Sequence, residues 1–246
     1  MSMSLFSACT SPDKKNETNN LEGHWINKEY LDALASNHSP KKVAENFTFY
    51  ATELLINHKK GDSIGVFNGQ TEFSFLPFKR HGDTLRLKLN QAPQTEIIYS
   101  VSDQTLSFID TELNRVFTFI KADSSLIDKS YSPAVAFPTA VNQSIFEGFW
   151  HLFEHNSTQK NVEFDKFGNL KGWEKYQNYL VCINGDCAAN ENGDVLFLGT
   201  KEKTEPFGFY SKGDTIALYQ LKPITAANEK PIYRQSQLLA LLVRKK

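Results

Sequence analysis

His151-Leu152-Phe153-Glu154-His155 gathers two imidazoles and a carboxylate within five residues. On a helix this spacing turns both rings to one face, where they can share a zinc ion while the glutamate works on a bound water. Phe146, Phe149, Trp150 and Phe153 do fall at helical intervals. On a strand the two histidines stand about 13 Å apart and no single ion reaches both. The strand is the expected reading, because Glu147-Gly148-Phe149-Trp150 repeats Glu22-Gly23-His24-Trp25, which stands at a strand entrance. His151 and His155 then face solvent, and no metal is expected.

The other chemistry-bearing residues are sparse. Cys182-Ile183-Asn184-Gly185-Asp186-Cys187 centres on Asn-Gly, a strong hairpin signal. A two-residue turn there places Cys182 and Cys187 opposite each other, with Cα atoms about 4.5 Å apart. That is close enough for a disulfide, which needs an oxidising compartment. The alternatives are two reduced thiols or half a metal site, and metal lacks a nearby third ligand. Gly82-Asp83-Thr84 and Gly213-Asp214-Thr215 each offer one carboxylate at a turn, too few for calcium. Trp173, Tyr176 and Tyr179 form the densest aromatic group, read either as ordinary packing or as a carbohydrate- or partner-facing surface. No Gly-x-Ser-x-Gly elbow, phosphate-binding glycine loop or Cys–His nucleophile pair occurs. The chain therefore reads as a non-enzyme without cofactors.

The elements that position these residues are doubled. Besides Glu-Gly-x-Trp, the Gly-Asp-Thr turns recur at similar distances after each tryptophan. Equal steps from Trp25 and Trp150 reach Lys121 and Lys246, so the chain divides into two domain-sized copies. The expected organisation is a tether over 1–20, a first domain over 21–121, a connection over 122–144 and a second domain over 145–246. Alternation is the dominant pattern: Leu85, Leu87 and Leu89 against Arg86 and Lys88, Phe47 and Phe49 against Thr48 and Tyr50, and a further run over Val116–Ile120. Turn signals punctuate these runs, as in an antiparallel meander that closes into a barrel or sandwich. One helix is expected directly after the first Gly-x-Trp, with Asn27 as N-cap and Tyr30, Leu31, Leu34 and Ala35 on one face. The second copy has no counterpart.

Gly-x-Trp at the first strand of a meander of about 100 residues resembles the lipocalin-like (calycin) barrels. The expected fold is all-β: two tandem lipocalin-like barrels with a short helix after the first strand of the first. The resemblance implies that Trp25 and Trp150 each close one barrel end beneath a basic side chain, with Arg115 and Arg244 as candidates. It further implies a small apolar ligand held in a barrel, for which Phe47, Phe49, Tyr30 and Leu34 are the candidate contacts. The alternative is filled barrels that act by protein–protein contact.

Leu5-Phe6-Ser7-Ala8-Cys9 resembles the lipobox of bacterial lipoproteins, which implies lipidation of Cys9 and anchoring at the outer membrane or in the periplasm. Residues 1–8 carry no Lys or Arg and are short for a signal peptide, a gap that an upstream start codon would close. Thr10–Asn20 is a polar tether. With 27 basic and 28 acidic residues, nothing points to nucleic acid. The membrane is therefore a partner through the anchor only, beside the small apolar ligand and an envelope protein.

Overall fold

The computed structural model describes residues 21–46, 51–57, 63–69, 72–87, 95–100, 103–110, 114–154, 158–183, 189–190, 193–200, 202–224 and 232–246. Most of these lie in antiparallel strands, so the chain is all-β as the alternation requires.

The first copy contains β1 (Gly23–Asn27), α1 (Lys28–Asn37), α2 (Pro40–Asn46), β2 (Glu53–Ile56), β3 (Ser63–Asn68), β4 (Glu72–His81), β5 (Thr84–Leu87), β6 (Thr95–Ser100), β7 (Thr105–Asp110) and β8 (Arg115–Lys121). Each strand pairs with the next, and β1 pairs with both β2 and β8, so the ladder closes on itself. Period-two alternation sends Leu54, Ile56, Ile64, Val66, Phe117 and Phe119 inward to one cluster around Trp25. Phe47 and Phe49 fall outside the described residues.

Residues 122–144 join the copies through ordered structure. A 3-10 turn at Ser124–Leu126 is followed by a bridge between Asp128 and Val135, then by α3 (Phe137–Ile145). Phe137, Val141 and Ile145 of α3 are buried in the core of the second copy.

The second copy contains β9 (Gly148–Glu154), β10 (Lys160–Phe164), β11 (Leu170–Lys171), β12 (Asn178–Val181), β13 (Ala189–Asn190), β14 (Asp194–Gly199), β15 (Thr204–Lys212), β16 (Thr215–Pro223) and β17 (Ile232–Arg244). They form a nine-stranded sheet in the order β11-β10-β9-β17-β16-β15-β14-β12. β13 lies off that path and runs parallel to β17, so this copy is not a plain meander. Among the described residues β11 and β12 meet only through the Asn169–Asn178 bridge.

The two Gly-x-Trp segments are structurally equivalent. β1 pairs with the last strand of its copy at Trp25–Lys121, and β9 does so at Trp150–Arg244. Gly23 and Gly148 have φ of 130° and 128°, which only glycine adopts readily. A Cβ at either would press on the basic side chain that crosses there, 3.2 Å from Lys121 Cε or 3.1 Å from Arg244 Nη1.

The two Gly-Asp-Thr turns are not equivalent. Each is a two-residue Gly-Asp hairpin closed by the pairs His81–Thr84 and Lys212–Thr215. The first joins β4 to β5. The second joins β15 to β16, which counted back from the closing strand match β6 and β7. The shared sequence reflects shared turn chemistry, a positive φ at Gly82 and Gly213, and not descent from one position.

Candidate functional site

The barrel-closing residues differ from expectation in one member. Lys121, not Arg115, lies over Trp25, with Nζ 5.6 Å from the ring centroid. Arg115 is exposed at the start of β8, with the length of that strand between it and the tryptophan. The position that covers the indole is the one paired with it across the ladder, and Lys121 holds it. Arg244 covers Trp150 as expected, its guanidinium carbon 4.3 Å from the ring centroid. Arg244 also donates from Nη1 to the Glu147 carbonyl and from Nη2 to the Ile145 carbonyl, at 2.7 and 3.2 Å. Each indole N–H donates to a carbonyl four residues back, Leu21 and Phe146.

The helix of the first copy serves the other copy. Asn27 caps α1 as expected, its side chain accepting from the Tyr30 N–H. Pro40 opens α2, where its missing N–H costs nothing. Tyr30 and Leu34 are fully buried in a cluster that runs through α3 into Leu196, Phe209 and Leu242 of the second sheet. The Tyr30 ring meets Phe137 edge-on at 5.0 Å, and its hydroxyl donates to the Ile183 carbonyl. The face expected to line the first barrel is thus packed against the second unit. Glu29, on the neighbouring face of α1, accepts from the Thr118 N–H and ties the helix to β8 just past its pairing with β1.

Two buried carboxyls cross the same seam. Glu53, on β2, has no exposed surface and accepts through Oε2 from the N–H groups of Ala136 and Phe137, at 2.9 and 2.8 Å. Its Oε1 shares a 2.5 Å hydrogen bond with His24 Nδ1. α3 has no capping side chain of its own, so Glu53 supplies from the first unit the acceptor that its N-terminal N–H groups need. Asp194, at the start of β14, accepts from the Lys41 N–H of α2 at 2.7 Å. Burial raises its pKa to about 6, against the opposing pull of the Lys41 N–H, the Ser39 hydroxyl and the charges of Lys41 and Lys42. Burial, and then the charge of Asp194, push the Tyr30 phenol upward as well.

The described residues hold no cluster of three or more metal-ligating side chains. His151 lies on β9 with Nδ1 facing Asn161 and Gln159, as the strand reading requires; His155 is outside the described residues. Trp173 and Tyr176 occupy the turn between β11 and β12, Tyr179 lies on β12, and all three rings are buried. The Trp173 N–H reaches Glu154 and the Tyr176 hydroxyl Glu205, so this group packs an edge of the core and offers no open aromatic surface. Cys182 is buried just beyond β12 beside Val195; Cys187 and Cys9 fall outside the described residues.

Sequence reasoning misses Lys121, His24, Glu53 and Asp194 as functional positions. For Lys121 a signal is present, since Trp25 to Lys121 and Trp150 to Arg244 are nearly equal steps. Comparison with protein-family models, with curated protein sequences and with solved structures found no match.

Proposed function

We propose that this chain is a non-catalytic, lipid-anchored protein of the cell envelope, built on two lipocalin-like barrels and acting by protein–protein contact through its outer surface. The observation that carries the reading is the use of the apolar side chains. In the first barrel Trp25, Leu54, Leu87, Phe108 and Phe119 are buried against one another, and the helix face that would border a pocket is spent in the seam. With those side chains packed on one another, binding falls to the outer surface. There, Phe153, Leu241, Ala217 and Tyr210 form a row across β9, β17, β16 and β15, with Phe153 and Tyr210 40% and 53% exposed. Contiguous outward apolar groups of this kind mark interaction surfaces. A photocrosslinker at Tyr210 in intact envelopes is expected to yield one discrete heavier species; recovery of the chain alone would sink the reading.

One observation favours a small apolar ligand in the first barrel as a second reading. Leu76 and Phe78 face the interior from β4 but are only half-buried, which would give such a ligand a way in. Saturable binding of an apolar fluorescent probe, abolished by Leu76→Trp, would favour this reading over the first.

The address rests on the lipobox-like segment before Cys9 and on a proposed Cys182–Cys187 bridge. No helix among the described residues is long and apolar enough to cross a membrane. Mass spectrometry of protein extracted from envelopes is expected to show acylated Cys9 and to leave Cys182 and Cys187 unalkylated before reduction. An unmodified Cys9 or two free thiols there would remove the envelope assignment.

A further inference from the structure

The seam carries a device that the two-barrel reading does not require. Asp194 belongs to the second unit, yet the N–H it accepts from belongs to Lys41 of the first, and its side chain is buried. Opening the seam returns that carboxyl to water; closing it withdraws the carboxyl again. The groups that bear on it include Lys41 and Lys42 on α2, Ser39 just before α2, and the Tyr30 phenol on α1.

We propose that Asp194 is an acid-tightened latch between the two units, closed most firmly when its carboxyl is neutral and loosened when the seam must enclose its charge. The Lys41 N–H can donate to either form, so protonation preserves the cross-unit hydrogen bond while removing the cost of burying an anion. The direction follows from linkage. The closed-state pKa of about 6 lies above the ordinary value of 3.8 that the carboxyl regains in water. The contribution of Asp194 to closure is therefore complete below about pH 4 and is lost as pH rises through 6. That difference corresponds to roughly a 100-fold change in the opening equilibrium across the whole titration. Tyr30 does not compete, since burial moves its ionisation further above that window.

Hydrogen exchange of the α2 and β14 amides in the full chain tests the latch, after correction for the intrinsic pH dependence of exchange. Between about pH 4.5 and 7.5, which spans most of the titration, the opening constant of the wild type is expected to rise roughly 25-fold. Asp194→Asn, always neutral, is expected to stay closed and flat across the same range. Parallel profiles for the two proteins, or a flat wild type, would overturn the proposal. Ser39→Ala offers an independent arm, because it removes a donor that favours the anion. Its midpoint is expected to move upward from that of the wild type, and a midpoint that stays put or falls counts against the latch.

Discussion

Trp150→Ala is expected to destabilise the second unit by about 3–5 kcal/mol, the range for removing a large buried aromatic. The indole is almost entirely enclosed, so alanine leaves a void where Phe146, α3 and the β9–β17 ladder converge. The Phe146 carbonyl loses its donor, and the Arg244 guanidinium loses the ring beneath it. Trp25→Ala is expected to act in the same direction. The cation terms should separate the two copies. Arg244 lies 4.3 Å from its ring and donates to two carbonyls, whereas Lys121 stands 5.6 Å off, near the limit of a useful cation–π contact. Arg244→Lys keeps the charge but surrenders the forked geometry, and is expected to cost about 1–2 kcal/mol. Lys121→Arg is expected to be neutral or slightly stabilising. Urea titrations of these variants, together with Arg244→Ala and Lys121→Ala, would measure this. Equal costs for the last two would refute the asymmetry.

That asymmetry bears on how much of the protein is legible in its sequence. Short-range rules carry far: alternation locates β5 and β8, Asn27 caps α1, and glycine at positive φ marks both Gly-x-Trp entrances. Each of those features is decided within a few residues of chain. Arg115 is the wrong cation because covering a tryptophan is a cross-strand property, and register fixes it. The two Gly-Asp-Thr turns mislead for the opposite reason: a primed hairpin demands that chemistry wherever it occurs, so the match says nothing about position in the sheet. Least legible is the seam. Tyr30 and Leu34 announce an amphipathic helix, but an apolar face does not name the surface that covers it. Glu53 draws no attention in the sequence, since the two α3 N–H groups it accepts from lie more than eighty residues away. Its burial is created by the docking of the second unit and has no local signature.

Glu53→Ala should therefore show how far the two units depend on each other. The substitution strips the cap from α3 and leaves the Ala136 and Phe137 N–H groups unsatisfied in the core, at about 1–3 kcal/mol each. His24 loses its partner as well. The expected loss is about 3 kcal/mol. It should fall on the junction more than on either sheet, because the β2 ladder to β1 and β3 uses backbone groups that alanine retains. One cooperative unfolding transition in the wild type is then expected to split into two. Glu53→Gln should cost less, about 1–2 kcal/mol: its carbonyl oxygen still accepts from α3, and its amide can donate to His24 once the ring proton moves to Nε2. A double-mutant cycle with His24→Ala isolates that last bond, whose coupling should be present in the wild-type background and smaller in the Glu53→Gln background. If Glu53→Ala unfolds in a single transition with an unchanged midpoint, the carboxylate does not join the units. The seam would then rest on its apolar contacts and on the Asp194 and Tyr30 hydrogen bonds, with Tyr30, Leu34 and Phe137 as the residues to test.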